Sequence, residues 1–363
     1  MLCRCAPRND GTLVIASVAK QSILTKSVKS VILYSGLLAD YSYDRGFLMK
    51  KYAFLFPGQG AQVPGMIKDI CDAYPEARAV VDEVTKITGV DMPKLLWESD
   101  AATLSRSDNS QLAITTASLA VMAVLKTKGI EPNAAMGFSR GEFPALYAAG
   151  VLSFEDVIKV VRERGLIMQA TCENIAKANE GHAPGMTAVL GLPPEKVEEL
   201  ANGIKDAYAA NLNSPVQTVV SGTADALDQI EAKAKEAGAR RALRLAVAGP
   251  FHSPLMQEAA DNFEKAIAGV TFNNPDKTLF SNVTGKQAEN GEEIKKNAVL
   301  HLTNPVRWTS EESVLNDLIK ASGDEWELIE PGVGAVITGL RGKSGYAETA
   351  ECKAVNNVET LNI

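Results

Sequence analysis

Residues 134–150, "AAMGFSRGEFPALYAAG", join a short apolar run to a helix-like pattern through a turn that carries Ser139 between Gly137 and Gly141. An apolar run of this length, left through glycine, reads as a buried strand. A G-x-S-x-G turn between strand and helix holds its serine on a tight corner. The glycines let main chain and helix approach closely, and the hydroxyl projects outward. The helix start adds free N–H groups and partial positive charge, which suit an oxyanion. Taken alone, the turn also fits a purely structural corner.

The same alternation continues on both sides. "YAFLF" (52–56) is a β-like run ending at Pro57-Gly58, and "AVVDEVTKITG" and "QLAITTASLAVMAVLKTKG" are amphipathic helices closing on Gly89 and Gly129. Strands alternating with helices predict an α/β fold. From 185 to 247 the order changes to β-α-β-β-α-β, with "MTAVLGL", "AYAANLN", "QTVVSGT" and "RALRLAV" as strands. That order is the ferredoxin-like signature. The expected architecture is therefore an α/β-hydrolase-like large domain with a parallel sheet, residues 49–184 and 248–345, interrupted by a ferredoxin-like small domain, residues 185–247. Residues 346–363 are expected to form a C-terminal tail.

Residues 1–48 differ from the rest, being serine-rich with Arg4, Arg8, Lys20, Lys26, Lys29 and Arg45 against Asp10, Asp40 and Asp44. The balance suits an organellar transit peptide, and a start codon assigned upstream of Met49 explains it equally well. The segment is expected to be an extension without function. The whole chain of 363 residues is 46% hydrophobic and 22% charged, with a net charge of −7, which excludes general affinity for nucleic acid or anionic lipid. No run reaches the roughly 18 apolar residues of a membrane span. The five cysteines, Cys3, Cys5, Cys71, Cys172 and Cys352, lack metal-ligand spacing and read as reduced thiols of a cytoplasmic protein. No metal and no cofactor are expected, and "GQGAQ" and "PGVGAVITG" lack the lysine and spacing of a nucleotide loop.

A serine nucleophile needs a base, and the chain offers three histidines. His182, in "NEGHAPG", reads as a solvated loop residue. His301, in "VLHLTNP", reads as a packing or surface residue near a helix end. His252, in "VAGPFHSPLM", follows the last strand of the small domain where the chain re-enters the large one, and is the best candidate.

Seven stretches then carry a family resemblance: "FPGQGAQ", "GFSRGE", "RERGLIMQ", "NSPVQTVVSG", "GPFHSPLM", "NPVRWT" and "EPGVGAVITGL". They follow one another from Met49 to about Arg341 as in the malonyl-CoA:acyl carrier protein transacylases, and the likeness extends to acyltransferase domains of polyketide synthases. The resemblance implies a ping-pong transfer through a malonyl ester of Ser139, with His252 as base and a coenzyme A thioester as substrate. It implies an oxyanion hole from the main-chain N–H groups of Gln59 and Arg140, and a backbone carbonyl at Arg307 that orients His252. It also implies that Arg164, 25 positions after Ser139, binds the free carboxylate of the malonyl group. A guanidinium matches a carboxylate two bonds at a time. Phe251 would crowd a methyl branch, a preference worth about 1–3 kcal/mol.

Three residues depart from the family pattern. Phe138 stands where a histidine is usual, Arg140 where leucine or glutamine is usual, and Pro144 enters early in the helix, where it forfeits a donor. Phe138 is expected to pack in the elbow. Arg140 either points to solvent or the coenzyme A phosphates, or makes a second contact to the acyl carboxylate. The partners implied are malonyl-CoA and holo acyl carrier protein, with no nucleic acid and no membrane, and a monomer is expected. An acidic carrier needs a local basic face, for which Lys233, Lys235, Arg240, Arg241 and Arg244 are the densest cluster. A trans-acting polyketide acyltransferase and a serine acyl hydrolase with the same Ser-His pair remain the alternatives.

Overall fold

The computed structural model describes residues 50–362 except 180, together with a separate antiparallel pair, Leu33–Tyr34 (β1) and Leu37–Leu38 (β2). Apart from that pair, the extension 1–48 lies outside the described residues. The central sheet of the main unit contains six strands: β3 (Lys50–Phe56), β4 (Ala134–Gly137), β9 (Thr278–Ser281), β10 (Lys286–Gln287), β11 (Glu325–Pro331) and β12 (Cys352–Val355). Their spatial order is β10-β9-β4-β3-β11-β12, parallel throughout except for the edge strand β10.

Helices cover both faces of this sheet, so its strands are apolar on both sides rather than alternating with polar residues. Phe54 and Phe56 of β3 enter one core cluster, and Ala53 and Leu55 enter the other. The helix Ser107–Thr127 lies against the first cluster with 15 of its 21 residues buried. It is long and apolar enough to cross a membrane by length and composition, which differs from the expectation that no segment reaches that measure. Its burial explains the composition: a helix packed on nearly all sides must be apolar nearly all round.

The second sheet is antiparallel, built from β5 (Gly185–Leu190), β6 (Ala207–Ser214), β7 (Gln217–Gly222) and β8 (Arg241–Arg244) in the order β6-β7-β5-β8. Helices Pro194–Asn202 and Ala224–Glu236 share a hydrophobic cluster with it through Val189, Val197, Leu227 and Ile230. Its β6 edge is stitched to the segment before the helix Trp308–Ser322. Leu212 N–H donates to the Val306 carbonyl at 2.9 Å, and Val306 N–H to the Ala210 carbonyl at 2.8 Å. The "NPVRW" stretch thus ties the two sheets together.

Residues 346–363 are not a tail. They contain β12, which pairs with β11 in the register Leu328↔Cys352 to Pro331↔Val355 and closes the sheet edge. "CKAV" is too short to show periodicity, and its partner lies more than twenty positions earlier, so the sequence carries little sign of it.

The sheet matters to function because β3, β4, β9 and β11 end on one side, where loops meet. After β4 the chain makes the short turn Ser139–Gly141 and enters the helix Glu142–Ala148. A Cβ on Gly137 would overlap the Gly141 carbonyl, one on Gly141 would overlap the Phe56 carbonyl, and one on Gly58 would meet the Phe138 carbonyl. Main chain touches main chain at all three crossings. Pro144 costs nothing here, since it falls in the first turn, where N–H groups have no intrahelical acceptor. Gly141→Ala is expected to destabilise the protein by about 1–3 kcal/mol or more, because the obstructing atoms are backbone and have no rotamer to retreat to. Urea unfolding of the variant against wild type measures it.

Candidate active site

Ser139 adopts φ 53°, a left-handed conformation uncommon for a residue with a side chain. Asn282, fully buried just after β9, supports it. Its Oδ1 accepts the Ser139 N–H at 2.8 Å, and its Nδ2 donates to the Gly137 carbonyl at 2.6 Å and to Glu311 Oε1 at 3.0 Å. Phe138 meets fully buried Trp308 edge to face, with ring centroids 5.3 Å apart, and fixes the other side of the elbow as expected.

His252 also has a left-handed backbone, φ 57°. Its turn is pinned to the second sheet by Ser221 Oγ, which donates to the Phe251 carbonyl, and is closed on itself by Ser253 Oγ, which donates to the Pro250 carbonyl at 2.6 Å. This places His252 Nε2 2.7 Å from Ser139 Oγ. The other ring nitrogen, Nδ1, lies 2.8 Å from the His301 carbonyl. With Nδ1–H donating to that carbonyl, Nε2 is left to accept the serine proton.

That carbonyl was expected at Arg307, and the structure assigns it to His301. The Arg307 carbonyl instead accepts from Ser310 N–H at 3.0 Å and Glu311 N–H at 3.1 Å, as the first acceptor of the helix Trp308–Ser322. A carbonyl committed to starting a helix cannot also face the imidazole. His301 caps the end of the helix Gly291–Leu300, is fully buried, and packs against His252 with ring centroids 4.8 Å apart and the rings tilted by 40°. Its Nδ1 stands 3.0 Å from Glu142 Oε2. His182 is exposed in its loop, far from this role.

Burial sets the protonation states. Desolvation, then the positive charge of Arg164, hold His252 down to about 3, so it is a neutral base at pH 7. Desolvation pushes Glu142 up to about 8, and raises Glu311 well above its ordinary value. Glu142 and His301 therefore meet as neutral groups, since burial and His252 keep the His301 imidazole uncharged as well.

A cavity of about 220 Å³ opens on Ser139 and His252. Gln59, Arg140, Arg164, Phe251, Asn211, Val336 and Leu340 are among its lining residues, so every predicted site residue except Arg307 comes to it. Arg164, 1% exposed on the helix Phe154–Ala178, donates from Nη1 to Gln111 Oε1 at 2.5 Å, its Nε has no partner, and its guanidinium carbon lies 5.1 Å from the Phe143 ring centroid. Arg140 is 3% exposed and turned inward, not toward solvent. Of the basic residues singled out between 233 and 244, Arg240, Arg241 and Lys235 are exposed, Lys233 is half-buried, and Arg244 is occupied by Asp228 at 2.7 Å and Glu231 at 2.8 Å. Among the described residues no group of His, Cys, Asp or Glu is arranged to hold a metal ion.

A nucleophile on a strand-to-helix elbow, a neutral base within hydrogen-bonding reach and main chain packed against the elbow make up a serine acyl-transfer site. Comparison with known proteins agrees. The acyl transferase domain family matches residues 53–322. The malonyl CoA-acyl carrier protein transacylase of Bacillus subtilis is 37% identical over 319 residues, covering 87% of this chain and 96% of the relative. The crystal structure of an acyl carrier protein S-malonyltransferase from Vibrio cholerae superposes with a TM-score of 0.77 at 35% identity, over 86% and 99% of the two chains. A type II PKS acyl-carrier protein in complex with its malonyl-transacylase contains a chain with TM-score 0.76 and 34% identity, over 86% and 97%. The chain belongs to the acyl transferase domain family, among its malonyl CoA-acyl carrier protein transacylases.

Sequence reasoning missed Asn282, His301 and Glu142. Glu142 closes the "GFSRGE" stretch and offered a signal. Asn282 in "FSNVTG" offered only its place after a strand. Asn282→Ala leaves the Gly137 carbonyl and the Ser139 N–H without partners, at about 1–3 kcal/mol for each such buried group. A lowered urea midpoint is the expected result, and an unchanged midpoint would show that the elbow holds without the amide.

Proposed function

We propose that the protein transfers the malonyl group of malonyl-CoA to the phosphopantetheine thiol of acyl carrier protein through a malonyl ester on Ser139. The observation that carries this reading is the meeting, in one cavity, of the Ser139–His252 pair with a buried guanidinium, Arg164, that has no carboxylate partner among the described residues. Such a cation costs free energy until an anion arrives. A malonyl thioester brings a free carboxylate attached to the carbon next to the one Ser139 would attack.

In the first half-reaction the Ser139 proton passes to His252 Nε2 as Oγ bonds to the thioester carbon. The resulting oxyanion is held by the main-chain N–H groups of Gln59 and Arg140. The close crossing of Gly58 over the Phe138 carbonyl supports this assignment, because it lays the Gln59 peptide against the elbow. Collapse breaks the C–S bond, and coenzyme A leaves with the proton from His252. In the second half the carrier thiol gives its proton to His252, sulfur attacks the ester carbon, and Oγ departs and regains the proton. Phe251 borders the acyl pocket and suits an unbranched acyl group.

The same reading takes residues 185–247 as a ferredoxin-like insertion in an α/β-hydrolase-like domain. The order β6-β7-β5-β8, second-third-first-fourth along the chain, supports it. Carrier docking falls to the exposed residues Lys235, in the last turn of the helix Ala224–Glu236, Arg240, and Arg241, the first residue of the strand that leads to Leu245 and Val247 at the cavity. We take the protein to be monomeric and cytoplasmic, a placement supported by the buried thiols of Cys71, Cys172 and Cys352, which form no disulfide.

Intact-mass measurement after brief incubation with malonyl-CoA is expected to give a malonyl adduct on wild type and none on Ser139→Ala. Arg164→Leu should lose most of the malonyl adduct, and holo acyl carrier protein should remove it from wild type faster than from a chain carrying Arg240→Glu and Arg241→Glu. An adduct discharged only to water would make the protein a hydrolase instead.

The pH profile is a separate check. A base must be neutral to take the serine proton, and a histidine held near 3 is neutral at every higher pH, so kcat/KM for malonyl-CoA should stay level from about pH 8 down to about pH 5. Above pH 8 Glu142 ionises within Coulombic reach of Arg164 and competes for it, so KM should rise. Glu142→Gln should abolish that alkaline rise.

A further inference from the structure

Arg140 and Arg164 are held by one hydrogen-bonded chain of neutral side chains on the first turns of the helix Ser107–Thr127. Arg164 Nη1 donates to Gln111 Oε1, Gln111 Nε2 donates to Ser107 Oγ at 2.9 Å, and Ser107 Oγ accepts Arg140 Nη2 at 3.5 Å. Arg140 Nη1 donates to Ser110 Oγ. The Arg140 guanidinium also lies over Phe251, 5.5 Å from the ring centroid.

The charges around this arrangement do not balance. Two guanidinium groups share one buried cavity, and among the described residues no carboxylate lies within ion-pairing distance of either. The helix they lean on presents its N-terminus, which is the positive end of its dipole. Asp108 in that first turn is engaged by Arg106. Glu142, the acid within Coulombic reach of Arg164, is pushed up to about 8 by burial and is mainly neutral at pH 7. Desolvation lowers both arginines, Arg140 to about 9 with the charge of Arg164 adding to the effect and Arg164 to about 10, which leaves both charged at neutral pH. Every nearby hydrogen-bond acceptor is an uncharged side chain, so the positive charge is positioned without being neutralised.

We propose that Arg140 is a second carboxylate-binding residue, so that the free carboxylate of the acyl group is held between two guanidinium groups and the site selects acyl thioesters that end in a carboxylate. The inference rests on the transfer reading above and extends it to a residue that reading used only through its main-chain N–H. Ser107, Ser110 and Gln111 act as positioning residues that aim the two forks into the cavity. Phe251 then has two faces of work: it borders the acyl pocket and shields the Arg140 guanidinium from water, which strengthens the charge it presents.

The test measures binding rather than turnover, in a Ser139→Ala chain that cannot be acylated, by calorimetric titration with malonyl-CoA and with acetyl-CoA. These ligands differ by the carboxylate. Adding Arg140→Leu is expected to weaken malonyl-CoA on the order of tenfold to a hundredfold, the range for losing a hydrogen bond to a charged group, and to leave acetyl-CoA within about twofold. Arg140→Lys, which keeps the charge and loses the planar fork, should fall between, and it decides the matter if the leucine variant does not fold. Retention of the full malonyl preference in either folded variant overturns the role of Arg140 while the transfer reading stands. Equal weakening of both ligands also overturns it, since that is the mark of a merely structural residue. A parent chain with no preference for malonyl-CoA overturns both readings.

Discussion

Ser139 can keep its left-handed backbone only because its surroundings leave it no other. The strand β4 delivers the chain to the elbow, Gly137 and Gly141 let the return path run in main-chain contact, and Gly58 brings a second loop onto the same point. A strained residue persists when its neighbours over-determine it. Here the neighbours include Asn282, whose amide bonds to the N–H of the strained residue and to the carbonyl two residues before it. The second strained residue, His252, faces the first, and its turn is fixed by a hydroxyl of the second sheet and one of its own loop. The 2.7 Å contact between them is therefore set by two rigid backbones rather than by flexible side chains.

The interior around this contact is unusual in its charges. Buried acids are neutral and buried imidazoles are neutral, while two buried guanidinium groups stay charged. Arginine resists deprotonation far more than lysine would in the same place, because delocalisation makes the guanidinium cheap to desolvate. A cavity that must stay positive without a resident anion is thus better built from arginine. Its stability cost is recovered when the ligand supplies the missing charge.

What could be read from the sequence follows from how each feature is encoded. Ser139, His252 and Arg164 sit in stretches whose neighbours form a recurring text, and the β-α-β-β-α-β order of 185–247 is a matter of local periodicity. Arg307 was assigned by the same text and lost the role, because which of two carbonyls meets an imidazole depends on where a helix begins, and a helix end is uncertain by a residue or two from sequence. Asn282 could not be found that way: its partners at the elbow lie more than 140 positions before it, and an asparagine after a strand is unremarkable in composition. The sequence left open whether Arg140 turns outward or inward, since its inward turn depends on Ser107 and Ser110, about thirty positions earlier on another helix. β12 was missed because four residues at a sheet edge carry no period.

The uncharged third partner of His252 follows from the same electrostatics. A carboxylate beside Nδ1 would orient the ring and stabilise the imidazolium that forms during transfer. In this cavity it would also lie close to Arg164 and Arg140, which lower the His252 pKa through their charge. A fixed anion there would pair with the guanidinium groups and fill the place that an acyl carboxylate must take. A carbonyl from His301 sets the tautomer with no net charge, so the base is oriented and the cations remain unneutralised. The cost is a less stabilised imidazolium. That cost is bearable when the proton stays only for the lifetime of a tetrahedral intermediate and leaves with the departing thiol, and when the carboxylate bound between the arginines supplies compensating negative charge nearby. Substrate recognition and the choice of a dyad over a charged triad are then two consequences of one constraint: the site must hold its positive charge open for the ligand.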